Sequence, residues 1–162
     1  MYSSKSFPTA RRPLPPTRTR PRLTLHSQTV PARLDQLESV CRLVDLGARS
    51  AGFDDRTSYA CQLAITEACE NIVLHGYRVP GAGDIRVTTR SRPGELTVDL
   101  VDSAPPFNPT LPDVEENWVE TDPPVGGRGL VIIRRVMDEV RYQRRGHRNY
   151  LRLRKRSESR SV

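Results

Sequence analysis

From Arg22 to Thr29 the apolar residues Leu23 and Leu25 alternate with polar neighbours, the period-two signature of a half-buried edge strand. Beyond Pro31, which is placed to open a helix, Leu34, Leu37, Val40 with Cys41, and Val44 recur at three- and four-residue steps, with Ala48 continuing the row. This spacing predicts a helix from Ala32 to about Ser50, stopped by Gly52. A second helix, capped by Asp54 or Asp55, runs through Ala60, Ala64, Ala68 and Ile72 to about Tyr77, ahead of the breakers Pro80, Gly81 and Gly83. Alternation resumes over Asp84–Arg90 and Glu95–Asp102, two strands of a hairpin around Ser91-Arg92-Pro93-Gly94. Residues 103–125 are rich in proline and acid and lack an apolar period, so they read as a long irregular connection of the kind used as a lid or binding loop. Gly126-Gly127-Arg128-Gly129 then leads into a helix from Leu130 to about Met137, and strands Glu139–Arg144 and Asn149–Lys155 form a last hairpin. Strands that meet as hairpins, with helices gathered between them, imply an antiparallel-rich sheet covered on one face by helices.

The chain has 162 residues, enough for one core and little more, and no apolar run long enough to span a bilayer. Its net charge of +7 raises the question of a nucleic-acid partner, so the position of that charge matters. Residues 1–22 contain Lys5, Arg11, Arg12, Arg18, Arg20 and Arg22 with no acid, and residues 152–162 are basic apart from Glu158, which leaves residues 23–151 slightly acidic. The expectation is a domain over residues 23–155 without a basic patch of its own, flanked by a Pro/Arg-rich disordered tail at 1–22 and a basic tail at 156–162. Direct nucleic-acid binding and membrane association are not expected. Arg/Ser-rich, acid-free composition at 1–22 also fits an electrostatic tether or a targeting segment. Cys41, Cys61 and Cys69 fall in helical segments without CxxC spacing, which points to reduced core residues and a cytoplasmic setting rather than to zinc or disulfides.

Three segments carry polar groups that can do chemistry. On the second helix Glu67, Asn71 and His75 fall in one row along the edge of an apolar stripe that contains Ala64, Ile65, Ala68 and Ile72; the alternative for such a row is a solvated face. Asp102 ends a strand and is followed by Ser103-Ala104-Pro105-Pro106-Phe107-Asn108-Pro109, so it either aims a carboxylate into a cleft or makes an Asx turn before a proline loop. The glycines around Arg128 at a helix start either offer free amides to phosphate or make a flexible helix entry.

In this order, TEACENIVLHGY, the PPFNP that follows Asp102 and GGRGLVIIRRVMDEVRY resemble the three nucleotide-binding boxes of GHKL ATPases, and most closely the anti-sigma-factor serine kinases, over about residues 23–155. The resemblance implies the histidine-kinase-like ATPase fold: an α+β two-layer sandwich with a mixed, mostly antiparallel sheet and helices on one face. It implies ATP and Mg²⁺ as cofactors. Glu67 would be the catalytic residue acting on the attacking hydroxyl, Asn71 the Mg²⁺ ligand, and Asp102 the acceptor of the adenine amino proton. His75, Ala104, Gly127, Arg128, Gly129 and Leu130 would complete the nucleotide site. Two positions depart from the family pattern: Ala104 stands where Asp-x-Gly has glycine, and Asn149-Tyr150 stands where the last strand commonly carries a threonine. Both bear on affinity rather than on the reacting groups. Both helices ahead of the glycine segment are needed by the fold, so a sensor kinase with its own phosphoacceptor helix is not expected. The expected activity is phosphorylation of a STAS-type anti-sigma-factor antagonist by a homodimeric kinase that otherwise sequesters a sigma factor. The alternative is an ATP-binding anti-sigma adaptor that transfers no phosphate.

Overall fold

A computed structural model of the chain describes residues 22–110 and 128–157. The order of elements is β1 (Thr24–Pro31), a 3₁₀ turn (Leu34–Gln36), α1 (Leu37–Ser50), α2 (Asp55–Asn71), a π-helical turn (Ile72–Tyr77), β2 (Asp84–Arg92), β3 (Glu95–Asp102), α3 (Arg128–Val136), β4 (Glu139–Arg145) and β5 (Arg148–Arg156). The five strands form one sheet in the order β1-β2-β3-β5-β4. Every pairing among them is antiparallel, so the parallel component implied by a mixed sheet is not present in the described residues. Gly126, Gly127, most of the connection after Asp102 and the outer parts of both tails lie outside the described residues.

One face of the sheet is apolar and carries the helices. Ile85, Val87, Leu96, Val98, Leu100 and Leu153 point into a core completed by Val40 and Val44 of α1, Ile65 and Cys69 of α2, and Ile133 of α3. Each such side chain taken fully out of water contributes about 1.5–3 kcal/mol. Local signals set the ends of the helices. Asp54, not Asp55, caps α2, its Oδ1 accepting the Thr57 N–H at 2.8 Å. Gly52 turns out of α1 at φ +80°, and Pro93-Gly94 closes the β2–β3 hairpin with Gly94 at φ +76°.

Several expectations need correction. Pro31 ends β1 and does not open a helix, and α1 proper starts at Leu37 after the 3₁₀ turn. Leu23 and Leu25 are 48% and 55% exposed, because the period-two pattern places them on the sheet face away from the helices while Val30 carries the burial. Leu34 is exposed as well. Cys61 and Cys69 are buried, their thiols pushed up to about 11 and about 12 by desolvation, but Cys41 is only half-buried and its Sγ lies 3.1 Å from the Thr66 hydroxyl. The charge reading also changes. β5 runs to Arg156, so Arg152, Arg154 and Arg156, counted along the chain as tail, stand on the sheet, and the domain does carry a basic face. Among the described residues no helix is long and apolar enough to cross a membrane.

α1 comes close to the sheet at Gly47. Ser91 donates its hydroxyl to the Gly47 carbonyl at 2.7 Å, and a Cβ at Gly47 would stand 2.9 Å from both Leu96 and Thr89. Alanine is favoured over glycine in a helix by about 1 kcal/mol, but overpacking a tight core costs about 1–3 kcal/mol. Gly47→Ala is therefore expected to lower stability on balance. Urea unfolding checks this: a midpoint at or above that of the wild type would mean that the contact relaxes freely.

Candidate functional site

The second helix changes its winding where the candidate residues begin. α2 is regular through Asn71, and the next turn is π-helical, with the Arg78 N–H reaching back to the Val73 carbonyl at 3.1 Å and Arg78 itself left-handed at φ 63°. Such turns insert an extra residue and are frequent at functional sites. Here the turn brings Gly76 under Ala104, so close that a Cβ on Gly76 would stand 3.0 Å from the Ala104 methyl. It also aims Tyr77 at the sheet, where its hydroxyl donates to the Asp84 carbonyl at 3.1 Å and accepts the Ser103 N–H at 2.9 Å. The start of the segment after β3 is thereby pinned to the end of the helix.

Asn71, Gly76, Asp102, Ala104, Phe107 and Asn149 are among the residues that line one cavity between α2 and the β3–β5 edge. Its volume of about 20 Å³ holds roughly one water, and Pro105, Phe107 and Pro109 of the covering segment after β3 also line it. Asp102 is 4% exposed. Its Oδ1 accepts the Ala104 N–H and the Asn149 Nδ2–H, each at 2.8 Å, while Oδ2 has no hydrogen-bond partner among the described residues. Asn149 cannot flip: its Nδ2 also donates to the Ala104 carbonyl at 3.0 Å, and its Oδ1 accepts from the Tyr142 hydroxyl and from Arg144, both at 2.7 Å. Burial pushes the Asp102 carboxyl above the usual aspartate range, against the opposing pull of Asn149, the Ala104 amide and Arg144.

Glu67 is half-buried one turn before Asn71, its carboxyl raised first by desolvation and then by the neighbouring charge of Glu70. The start of α3 closes over it. A Cβ on Gly129 would stand 2.5 Å from Glu67 Oε2, so only glycine fits there without displacing the carboxylate. Leu130 packs partly buried against the core and Arg128 is exposed at the start of α3. His75 does not line the cavity; it is exposed in the π turn and stacks on Phe107 with centroids 6.1 Å apart. Glu67, Asn71, Asp102, Ala104 and Gly129 are thus gathered along one side of α2, His75 is set to the outside, and Gly127 lies outside the described residues. Sequence reading assigned no role to Tyr77, Tyr142, Arg144 or Phe107, and met Asn149 only as a departure from a family pattern. Their common signal is register: Asn149 is the cross-strand neighbour of Asp102.

The side-chain amide of Asn71 is the natural place to test for a cation. Its Nδ2 is buried without a hydrogen-bond partner, so the amide is not committed to the protein and can present its oxygen outward instead. Among the described residues no three His, Cys, Asp or Glu side chains cluster as a metal cage. A single amide oxygen therefore fits a hard ion that draws its remaining ligands from phosphate and water, as Mg²⁺ does.

Among the described residues both bonds to the Asp102 carboxylate go to one oxygen, so Asp102→Asn can keep both with its carbonyl while turning an N–H₂ outward. The raised pKa means that the folded state holds the proton longer than the unfolded chain does. Stability of the wild type should therefore fall as pH rises from about 3.9, the ordinary aspartate value, through the higher folded value. Asp102→Asn is expected to remove that pH-dependent loss, to be at least as stable at pH 7, and to bind ATP about ten- to a hundred-fold more weakly. Thermal melts between pH 3.5 and 8 beside nucleotide titrations check both halves.

A family model described as "Histidine kinase-like ATPase domain" matches residues 30–155. A curated relative, the serine/threonine-protein kinase BtrW of Bordetella bronchiseptica, is 30% identical over 101 residues, covering 60% of this chain and 70% of that protein. A solved structure of the RsbU and RsbW domains of Rv1364c from Mycobacterium tuberculosis matches with a TM-score of 0.57 at 19% identity, over 82% of this chain. The chain spans about a third of that structure's length, 32%, and the likeness is one of fold. With the family model covering most of the chain and the five-stranded sheet and helix layer in place, the chain belongs to the histidine-kinase-like ATPase domain family.

Proposed function

We propose that the chain is an ATP-dependent protein serine/threonine kinase that phosphorylates a STAS-type anti-sigma-factor antagonist and, when not so engaged, sequesters a sigma factor. Family membership supports ATP binding, and the name of the Bordetella relative supports the transfer of phosphate to a protein hydroxyl. The observation that carries the reading is the arrangement along α2: an uncommitted amide at Asn71, a carboxylate with a raised pKa one turn earlier at Glu67, and a buried Asp102 across the cavity.

In this reading Asp102 Oδ2 accepts the adenine amino proton, which selects adenine because guanine presents a carbonyl at that place. Asn71 would hold Mg²⁺, which when bound neutralises charge on the phosphates. Arg128 and the amides at the start of α3, with Gly129 leaving room for them and Gly127 by family expectation, would hold the phosphates. Glu67 takes the proton of the substrate hydroxyl as its oxygen bonds to the γ-phosphorus and the bond to the leaving oxygen of ADP breaks. Partial burial suits it to this, since a carboxylate raised toward neutrality is the stronger base. His75 contributes only through its contact with Phe107 on the covering segment. By family expectation the protein is a cytoplasmic homodimer.

The second reading, an ATP-binding anti-sigma adaptor without transfer, is favoured by one observation: the Ala104 methyl lines an already small cavity. Two variants separate the readings. Glu67→Gln keeps shape and polarity but removes the base, so ATP should bind normally with Mg²⁺ while single-turnover transfer to a STAS partner falls by about 10² to 10⁴. Asn71→Ala should instead weaken ATP binding only where Mg²⁺ is present. Wild type that binds ATP yet transfers no phosphate supports the adaptor, and Glu67→Gln transferring at the wild-type rate sinks the assignment of the base.

A further inference from the structure

Among the described residues no element packs on the sheet face away from the helices. Pleat and register put three arginines of β2, two of β4 and four of β5 there, against four carboxylates, Asp84, Glu95, Asp99 and Glu139. Three of the carboxylates are used internally, Asp99 pairing with Arg90 and Arg152, Glu139 with Arg141 and Arg154, and Glu95 with Arg156, while Asp84 stands exposed at the end of β2, two residues from Arg86. Arg86, Arg92 and Arg148 have no side-chain partner among the described residues, and Arg145 lies over the Tyr150 ring at 5.6 Å. At one side of this face Leu25 stands 55% exposed, in register with Arg90, with Leu23 exposed beside it.

We propose that this open sheet face is a docking surface for an acidic protein partner, one whose carboxylates meet Arg86, Arg92 and Arg148 and whose apolar side chain covers Leu25. The inference depends on neither the nucleotide site nor the proposed kinase activity. Composition favours a protein over a nucleic acid. Interfaces between proteins are rich in arginine, tyrosine and apolar anchors and poor in lysine, and the only lysine on the strands, Lys155, is in register with Leu96 of the core face and bonded to Asp138. Phosphate gains nothing from exposed leucines, and carboxylates set among the arginines interrupt any continuous track for a phosphate backbone. A second copy meeting this one face to face would bring like charge against like, which opposes pairing. Arginine's planar fork suits carboxylates, and the internal pairs hold the strands' remaining arginines in fixed geometry around the free ones.

The full chain is titrated by fluorescence anisotropy against three labelled probes: a peptide of Glu-Glu-Leu repeats, a peptide of Glu-Glu-Ser repeats of equal length and charge, and an oligothymidylate. The Glu-Glu-Leu peptide should bind most tightly and weaken steeply with salt. Arg86→Ser/Arg92→Ser/Arg148→Ser should weaken it roughly tenfold or more, as expected for three exposed ion pairs. Leu25→Ser should bring its affinity down to that of the Glu-Glu-Ser peptide and leave the latter unchanged. Circular dichroism and ATP affinity, unaltered in these surface variants, confirm that the fold is intact. Peptide binding that survives the triple substitution assigns it to the tails and overturns the proposal. So does oligothymidylate binding that is tighter than either peptide and lost with the same arginines, or sedimentation that finds a dimer abolished by Leu25→Ser.

Discussion

A carboxylate buried at the end of β3 is the constraint around which the rest of the site is arranged. An ionised group out of water costs several kcal/mol unless it is bonded, so Asp102 requires donors inside the fold. The next turn supplies the Ala104 amide, and the start of β5 supplies Asn149. Asn149 in turn is oriented by Tyr142 and Arg144 of β4, which makes the last hairpin part of the site even though none of its residues is a reacting group. Satisfying one oxygen of the carboxylate completely leaves the other for a ligand. The cost of burial then becomes selectivity, since a group that can donate a hydrogen bond relieves the remaining oxygen and one that cannot does not.

The helix layer meets the candidate site through close approaches at two glycines. Gly76 passes beneath Ala104 and Gly129 lies on Glu67. These two close approaches set the distance between α2 and its neighbours at both ends of the candidate site. The π turn serves the same end, since one extra residue lets α2 stay regular under Glu67 and Asn71 and still deliver Tyr77 to the Ser103 amide. Regular winding would have carried His75 along the same row as Glu67 and Asn71, where the sequence reading expected it. The wider turn puts it outside, against Phe107.

What was legible in the sequence was whatever is local. The order of elements follows from period and breakers, and each hairpin from short turns such as Pro93-Gly94. Glu67, Asn71 and Asp102 were not distinguished by local pattern alone, which left a solvated face and an Asx turn open; the resemblance of three segments in order to the nucleotide-binding boxes singled them out. The Asn149 network was not legible, because it depends on β5 crossing to pair with β3 across an intervening helix and strand, and no local pattern states that pairing. The facing of β1 failed for a related reason. Leu23 and Leu25 have the right period for a strand, but period alone does not say which side of the sheet is the core, and the partners of β1 on β2 decide it.

Charge shows the same limit from another side. Summed along the chain, residues 23–151 are slightly acidic, and that sum is correct. It says nothing about direction. A strand sends every second residue to one face, so the arginines of RNYLRLRKR in β5 stand together on the open side while Leu151 and Leu153 go to the core. β2 and β4 add theirs to the same side by register. Of the acids that balance the sum, Glu38, Asp45, Asp54, Asp55, Glu67 and Glu70 are on or beside α1 and α2. The arginine field thus stands on the far side of the sheet from the candidate nucleotide cavity, while the helix layer mixes both signs, with Arg42, Arg49, Arg56, Arg134 and Arg135 on the same helices as those acids or on α3. Positive potential at a site between the layers has then to come from groups close to it, and Arg144, bonded to Asn149, and the amides at the start of α3 are the elements the fold offers.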